Sequence, residues 1–215
     1  VVVLTMCWAV KGGSGATVVS CALALMMAKA HDGAGLIDLA GDVPAALGLP
    51  EPRGPGVHDW IHAEAAPEAI EALAVAGAKG LRVVPRGEAP AELHHARWEP
   101  LARYLAERDQ PWIIDAGTGP VPVALAAAAQ RRLLVTRECY LSLRRATALE
   151  FQPTGVVVVS EPGRALRCDD VAATIRVPVV AVIECDPVVS RAVDAGLLRI
   201  RLPRPLAQPL RTLLR

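Results

Sequence analysis

The chain opens with VVVLTMCWAV, then KGGSGAT, then VVSCALALMMAKA: an apolar run, a turn with three glycines, and a second apolar run of helical composition. A run with no polar alternation suits a strand covered on both faces, and a strand passing through a glycine turn into a helix is the first half of a parallel crossover unit. This feature commits the chain to a helix-covered sheet and also gives it a place for an anion. Glycines let backbone amides converge without Cβ obstruction, and the first helical turn adds partial positive charge. Phosphate is the natural occupant, and Thr17, in that first turn, offers a hydroxyl to a Mg²⁺ ion.

The rest of the 215 residues alternate in the same way. Strands are predicted at 1–9, 35–39, 81–85, 111–115, 132–136, 155–160 and 178–183. Helical segments are predicted at 17–30, 57–61, 67–76, 91–108, 121–130, 140–150, 168–174 and 187–195, with a helical tail from Leu206 and a Pro/Gly-rich loop over 41–56. The expected fold is α/β: one doubly wound, mostly parallel sheet with helices on both faces, in a single domain over 1–215. Ligands in such sheets bind at the carboxyl ends of the strands. A hydrophobic content of 53% excludes wholesale disorder, and the 23 basic against 22 acidic side chains exclude a polyanion binder acting through bulk charge. With 3% aromatics, aliphatic side chains are expected to do the packing. Only three lysines occur, Lys11, Lys29 and Lys79, and one of them sits in the glycine turn.

Against the pattern G-x-x-x-x-G-K-[ST], Gly15 and Thr17 fit, whereas Val10 stands at the first glycine and Ala16 at the lysine. Lys11-Gly12-Gly13-Ser14-Gly15-Ala16-Thr17 nevertheless resembles the deviant Walker A motif K-G-G-x-G-K-[ST] of the MinD/ParA-type P-loop ATPases, in which a signature lysine precedes the glycines. Further segments extend the resemblance. Ile37 to Asp42 followed by Ala45-Ala46-Leu47-Gly48-Leu49 is similar to the family's switch I, and Trp112 to Gly119 to its Walker B strand and switch II. Leu81 to Gly87, Leu133 to Thr136, and Pro178 to Asp186 with Ala195-Gly196 are similar to later strands and the loop beside the nucleotide base. The Gly41-Asp42-Val43 wording and the compact length are similar to the CpaE/TadZ and septum-site branch, with a degenerate P-loop.

The resemblance implies ATP and Mg²⁺ as cofactors. Lys11, Gly12, Gly13, Ser14, Gly15, Ala16, Thr17 and Val18 would surround the nucleotide, and Thr17, Asp38 and Asp115 the metal. Lys11, Asp38 and Asp42 would take part in catalysis. It also implies a homodimer on nucleotide binding and a protein partner in a division, pilus or partition machinery. Two departures bear on turnover: Ala16 replaces the lysine that bonds the β- and γ-phosphates, and Ala40 replaces a carboxylate that orients the attacking water. Losing one charge-assisted hydrogen bond costs about 1.5–3 kcal/mol, so binding is expected to survive better than hydrolysis. Asp42 is the candidate substitute for the missing carboxylate, and Lys11 for the missing charge. The expected function is a nucleotide-binding, dimerising positioning protein with weak or lost hydrolysis. The alternatives are a pseudo-ATPase scaffold and an active DNA-associated partition ATPase.

Other readings of the same residues are weaker. A dinucleotide-binding unit would place Asp38 on a ribose, but Gly13 to Val18 lacks the third glycine. A nucleophile elbow at Ser14 would need a histidine late in the chain, and the last is His95. His58 with His62, and His94 with His95, come without a carboxylate or cysteine at ligand spacing in sequence and are expected to be surface histidines. Cys7, Cys21, Cys139, Cys168 and Cys185 contain no C-x-x-C pair and are read as reduced, mostly buried thiols of a cytoplasmic protein. No signal peptide is expected, and no apolar run reaches the ~18 residues of a membrane span. The last 25 residues carry six arginines and one aspartate. By resemblance such a tail contacts DNA or a membrane surface, at the nucleoid or inner membrane face; by composition alone it is a last helix packed on the sheet with its arginines solvated.

Overall fold

A computed structural model describes residues 3–214; the first two residues of the expected first strand and Arg215 lie outside the described residues. Eight strands form one sheet in the order β3-β4-β2-β5-β1-β6-β7-β8. They are β1 Leu4–Ala9, β2 Ala34–Asp38, β3 Val75–Ala78, β4 Leu81–Val84, β5 Trp112–Thr118, β6 Arg131–Arg137, β7 Gly155–Ser160 and β8 Val179–Glu184. All neighbouring pairs are parallel except β3 with β4, which form an antiparallel edge. The helices are α1 Ala16–Ala30, α2 Val43–Leu47, α3 Val57–His62, α4 Trp98–Ala106, α5 Val123–Ala128, α6 Tyr140–Ala146, α7 Cys168–Ile175, α8 Pro187–Asp194 and α9 Arg204–Leu210. The doubly wound, mostly parallel architecture is therefore the one the alternation predicts.

The sheet separates two cores. Strand β1 is buried along its whole length, with Leu4, Met6 and Trp8 on one face and Cys7 and Ala9 on the other, as a central strand requires. Helix α1 covers the second face. The four tryptophans, Trp8, Trp60, Trp98 and Trp112, all belong to the first core, and each is at least 97% buried. Aromatics are few, but contrary to the all-aliphatic expectation they are the largest side chains on that side.

Differences from the sequence expectation have local causes. The predicted helix 91–108 begins only at Trp98, which leaves Pro100 in the first turn, where a missing N–H breaks no intrahelical bond. The expected helix 67–76 is a 3-10 turn over Pro67–Leu73, followed by the short edge strand β3, which the sequence reading missed. Helix α2 lies inside the predicted loop; Pro44 occupies its first turn and Gly48, left-handed at φ 69°, ends it. The tail does form a helix, α9, which continues past Pro209. Its Leu206 and Leu210, with Leu213 beyond, are buried in the α1-side core, so the apolar face of the tail is spent on packing while Arg204 and Arg211 stay exposed. Among the described residues no helix is long and apolar enough to cross a membrane.

Gly35 shows how tightly β2 and β5 fit. A Cβ there would fall inside the Trp112 ring, which is itself capped by the Arg82 guanidinium at 5.6 Å from the ring centroid. Overpacking of this kind costs about 1–3 kcal/mol. Gly35→Ala is therefore expected to lower the unfolding free energy by that amount, read as a lower urea midpoint with an unchanged m-value, whereas an equally stable variant would show that Trp112 moves aside freely.

Candidate functional site

The carboxyl ends of β1, β2 and β5 converge, and the glycine turn rises from β1 between them. Gly13 at φ 74° and Gly15 at φ 93° are left-handed, a conformation costing a side-chain-bearing residue about 1–2 kcal/mol. A Cβ at Gly12 or Gly13 would meet nothing within 4 Å, so the space over these amides is open. Inside the turn, the Ser14 hydroxyl donates to Lys11 O at 2.8 Å. The turn is steadied from outside by Arg145 on α6, which donates to Val10 O at 3.2 Å.

Asp115 on β5 and Asp38 on β2 stand opposite each other in register, both fully buried. Burial pushes the Asp115 carboxyl above its ordinary range, although the Thr17 and Ser20 hydroxyls and the Gly117 amide pull it back. Ser20 Oγ is 3.1 Å from Asp115 Oδ1 and 2.9 Å from Ala16 O, so one proton is shared between two acceptors. Among the described residues Oδ2 of Asp115 has no hydrogen-bond partner, while the Thr17 hydroxyl helps lower the carboxyl's pKa. An orphaned buried carboxylate oxygen beside the helix turn that carries Thr17 is a donor set suited to a Mg²⁺ ion or its coordinated water.

Asp38 is used differently. Its Oδ1 accepts the amides of Ala40 at 3.0 Å and Gly41 at 2.6 Å, and Oδ2 accepts that of Val43 at 3.1 Å. Burial nevertheless raises it to about 7, opposed by those amides and reinforced by the Asp115 charge. Asp38 thus clamps the 39–43 loop and shares the electrostatic field of Asp115. Asp42 is exposed at the start of α2, and its side chain makes no capping bond. Ala40 packs against Gly117, where a Cβ would collide with the Ala40 methyl, so the two loops after β2 and β5 are in direct contact. Ala16 is the first residue of α1, and its methyl is 6% exposed.

Beside the turn, a cavity of about 460 Å³ is lined by Gly13, Gly15, Val18, Arg137, Asp186 and Val189, among others. Its size suits a small ligand. It brings the glycine turn together with the segment after β8, which the sequence had linked to it by resemblance. The segment after β8 is also tied to the end of α2, where Gly48 packs directly on the Gly196 backbone, leaving no room for a Cβ. A larger cavity of about 950 Å³ lies away from the glycine turn, between the end of α1, the β3–β4 turn and the C-terminal segment, near Lys29, Lys79 and Arg211.

Three functional residues escaped the sequence reading. Ser20 follows Thr17 by one helical turn and therefore shares its face, a spacing visible in the sequence. Arg137 ends β6 and enters the cavity; Glu161 pairs with it and with Arg164, and the Lys11 charge also acts on Glu161. The Nε of Arg137 is buried without a partner. Only the position of Arg137 at a strand's carboxyl end could have flagged it.

The histidine and cysteine expectations need correction. His58 is 1% exposed; its Nε2 lies 3.1 Å from Leu39 O, and its ring stands edge-on to Trp98 at 6.0 Å. His62 and His95 are surface groups, but they meet a carboxylate after all, that of Glu92. All five cysteines are free thiols; Cys7 and Cys21 are buried, Cys139 and Cys168 partly so, and Cys185 is exposed. Burial pushes the Cys7 thiol up to about 12, which keeps it protonated beneath Asp115.

In overall shape the chain is similar to the septum site-determining protein MinD complexed with Mg-ADP from Pyrococcus horikoshii OT3 (17% identity, 100% of this chain and 95% of that one, TM-score 0.77). It is also similar to a ParA family ATPase from Chlorobium tepidum TLS (16%, 100% and 99%, TM-score 0.73) and to the MinC:MinD cell division protein complex of Aquifex aeolicus (17%, 100% and 95%, TM-score 0.75). The chain therefore has the P-loop NTPase fold of the MinD/ParA ATPases. No curated protein sequence matches it. A family model described as flavin containing amine oxidoreductase matches residues 63–206 and by sequence assigns that stretch to the family. The fold disagrees with that assignment. The matched stretch begins after the glycine turn, and β5 lies between β1 and β2, which are adjacent in a dinucleotide-binding sheet. The matched stretch thus lacks the phosphate turn at 12–15 that a flavin's pyrophosphate would need.

Two outcomes follow for this site. Gly15→Ala is expected to lose about 1–2 kcal/mol of stability in chemical denaturation, since Ala resists the left-handed backbone. His58, whose pKa is held below its ordinary value chiefly by burial, favours the folded state above the unfolded pKa of 6.5, and that contribution is lost as pH falls through the lower folded value. Thermal melts from pH 7.5 to 5 should therefore fall more steeply for the native chain than for His58→Gln; parallel curves would remove His58 as the cause.

Proposed function

We propose that this chain binds ATP with Mg²⁺, forms a homodimer when it does so, and positions a partner of a division, pilus or partition machinery, with slow or absent hydrolysis. The observation that carries the reading is the open glycine turn together with the partnerless Oδ2 of Asp115, whose other oxygen bonds Ser20 on the helix that this turn opens. Gly12 to Gly15 would bind phosphate through their amides, Thr17 and Asp115 would hold the metal, and Asp38 would keep the 39–43 loop in place beside it. Val18 and the segment after β8 would border the base. The Mg²⁺ would neutralise phosphate charge, which is the chemistry the two buried carboxyls cannot supply. The MinD from Pyrococcus horikoshii was solved with Mg-ADP, and the Aquifex MinD with MinC; a nucleotide and a protein partner for this chain are proposed by analogy with them.

Two side chains support weak hydrolysis. Ala16 offers a buried methyl where a lysine would bring charge, and Ala40 offers no carboxylate. Lys11, Arg137 and Arg145 are cations near the turn; Val10 O engages Arg145, and Glu161 engages Arg137 directly. A nucleotide phosphate would compete with Glu161 for Arg137 and Lys11. Asp42, free at the loop, is the candidate water-orienting group.

Titration with labelled ATP and Mg²⁺, followed by light scattering for mass, tests the reading. Saturable binding with a doubling of mass is expected, while no binding at millimolar nucleotide would leave a nucleotide-independent scaffold. Arg137→Ala is expected to weaken binding roughly ten- to a hundredfold, the loss of one charge-assisted bond. Ala16→Lys is expected to raise phosphate release above the native level; an unchanged rate in a variant that still binds would assign the defect to Ala40 instead.

A further inference from the structure

We propose that His62, Glu92 and His95 form a second metal site, one that takes a borderline divalent ion of the zinc type, separate from the glycine turn. The three side chains come from two segments: His62 is the last residue of α3, and Glu92 and His95 lie in the loop before α4. One ligand atom from each lies within 4.8 Å of the other two. The His62 and His95 rings are 5.8 Å apart in an edge-to-face arrangement at 73°.

The ring of His62 is already oriented for a metal. Its Nε2 sits 3.2 Å from the Pro90 carbonyl oxygen, which can only accept, so Nε2 carries the proton and Nδ1 keeps its lone pair. That lone pair faces Glu92 Oε1 at 3.9 Å. Two electron-rich atoms directed at each other are stabilised by a cation between them, and a histidine whose far nitrogen donates to a backbone carbonyl is the usual arrangement around a bound metal. The opposing assignment is a proton: His62 charged at both nitrogens and paired with Glu92. At 3.9 Å on the surface such a pair is weak.

The scaffold holds the ligands without the ion. Asp59 on α3 accepts the amides of Gly56, Glu88 and Ala89, which ties α3 to the start of the loop. The Trp98 indole donates to Glu92 O at 2.6 Å, and the His95 amide donates to the same oxygen at 3.3 Å. Arg97 stacks on Trp60 at 4.2 Å from its ring centroid and donates to Ala65 O. One local bond opposes the site: His95 Nδ1 accepts the Arg97 amide at 3.2 Å, so ligation through Nε2 would shift a proton to Nδ1 and break that long contact. With Zn–N bonds near 2.0–2.1 Å, tetrahedral ligands stand roughly 3.3 Å apart, a contraction within reach of exposed side chains. Two imidazoles and one carboxylate match zinc better than Mg²⁺ or Ca²⁺, which prefer oxygen, and leave a fourth position for water or a partner's side chain.

The test uses the chelator-treated full chain, titrated with Co²⁺ and then with Zn²⁺ in competition. The expected result is one ion per chain, visible Co²⁺ bands without the near-ultraviolet thiolate charge transfer, and displacement by zinc. His62→Ala with His95→Ala should weaken binding by more than about tenfold, and Glu92→Gln by a smaller factor. Circular dichroism checks that both variants fold, and a zinc-dependent rise in melting temperature should vanish in the double variant. Binding unchanged in the double variant, a thiolate spectrum from the cysteines, or no binding at 100 µM metal would each overturn the proposal.

Discussion

Everything at the working end of this molecule depends on β1 being central. Its residues are buried on both faces, β5 lies on one side and β6 on the other, and α1 returns across the sheet directly after the turn. A strand so placed cannot shift along its axis without turning its side chains toward the wrong core. The glycine turn is therefore delivered to a fixed point, with Asp115 of β5 alongside and β6 presenting Arg137 from the other flank. The left-handed backbone at Gly13 and Gly15 is free of strain because neither has a Cβ, and the strand and α1, both well packed, hold its two ends.

The same centrality explains why two carboxyls are buried side by side. Asp38 ends β2 and Asp115 lies within the adjacent β5, so register alone brings them together, and desolvation then raises both. The chain resolves the two differently. Asp38 receives three amides and becomes part of the loop's architecture, whereas Asp115 keeps an unbonded oxygen. An unsatisfied buried acceptor is costly, of order 1–3 kcal/mol, and its persistence next to an anion-binding turn is the pattern of a group reserved for a ligand. Stability is given up where chemistry is expected.

The fold was largely legible because periodicity and punctuation agreed: apolar runs of strand length, separated by helical stretches with proline and glycine at their ends. What failed was short or proline-governed. VAGA at 75–78 is too brief and too small to read as a strand, yet it pairs antiparallel with β4 at the sheet edge. Pro100 was read as lying within a long helix when it fixes the start of a shorter one. For the site, the glycine turn, Thr17, Asp38 and Asp115 were readable because they are contiguous with strand ends. Arg137 with Glu161, and His62 with the Glu92–His95 segment, were not, since each pairing is assembled across loops that sequence spacing does not measure; only the three-residue step from Glu92 to His95 was visible. His58 was misjudged for a related reason: its partner is a carbonyl, Leu39 O, and backbone acceptors leave no trace in composition.

Binding and turnover make separable demands on such a site, and this chain meets them unequally. Holding a phosphate needs converging amides and some positive charge, and the turn with Lys11 and Arg137 offers both. Accelerating transfer needs groups that act more strongly on the transition state than on the bound nucleotide, and those are charges placed within bonding distance of the oxygens that gain charge. Ala16 sits where such a charge would start, at the first residue of α1, and its buried methyl cannot be replaced in that role by Arg137, which approaches from β6 through the cavity wall and is tied to Glu161. A cation arriving from that side can hold a ligand without following charge as it moves toward the leaving oxygen. On the proposed reading such a site would register nucleotide rather than consume it quickly, and the contact between Ala40 and Gly117 would be the place where that state passes from one loop to the other.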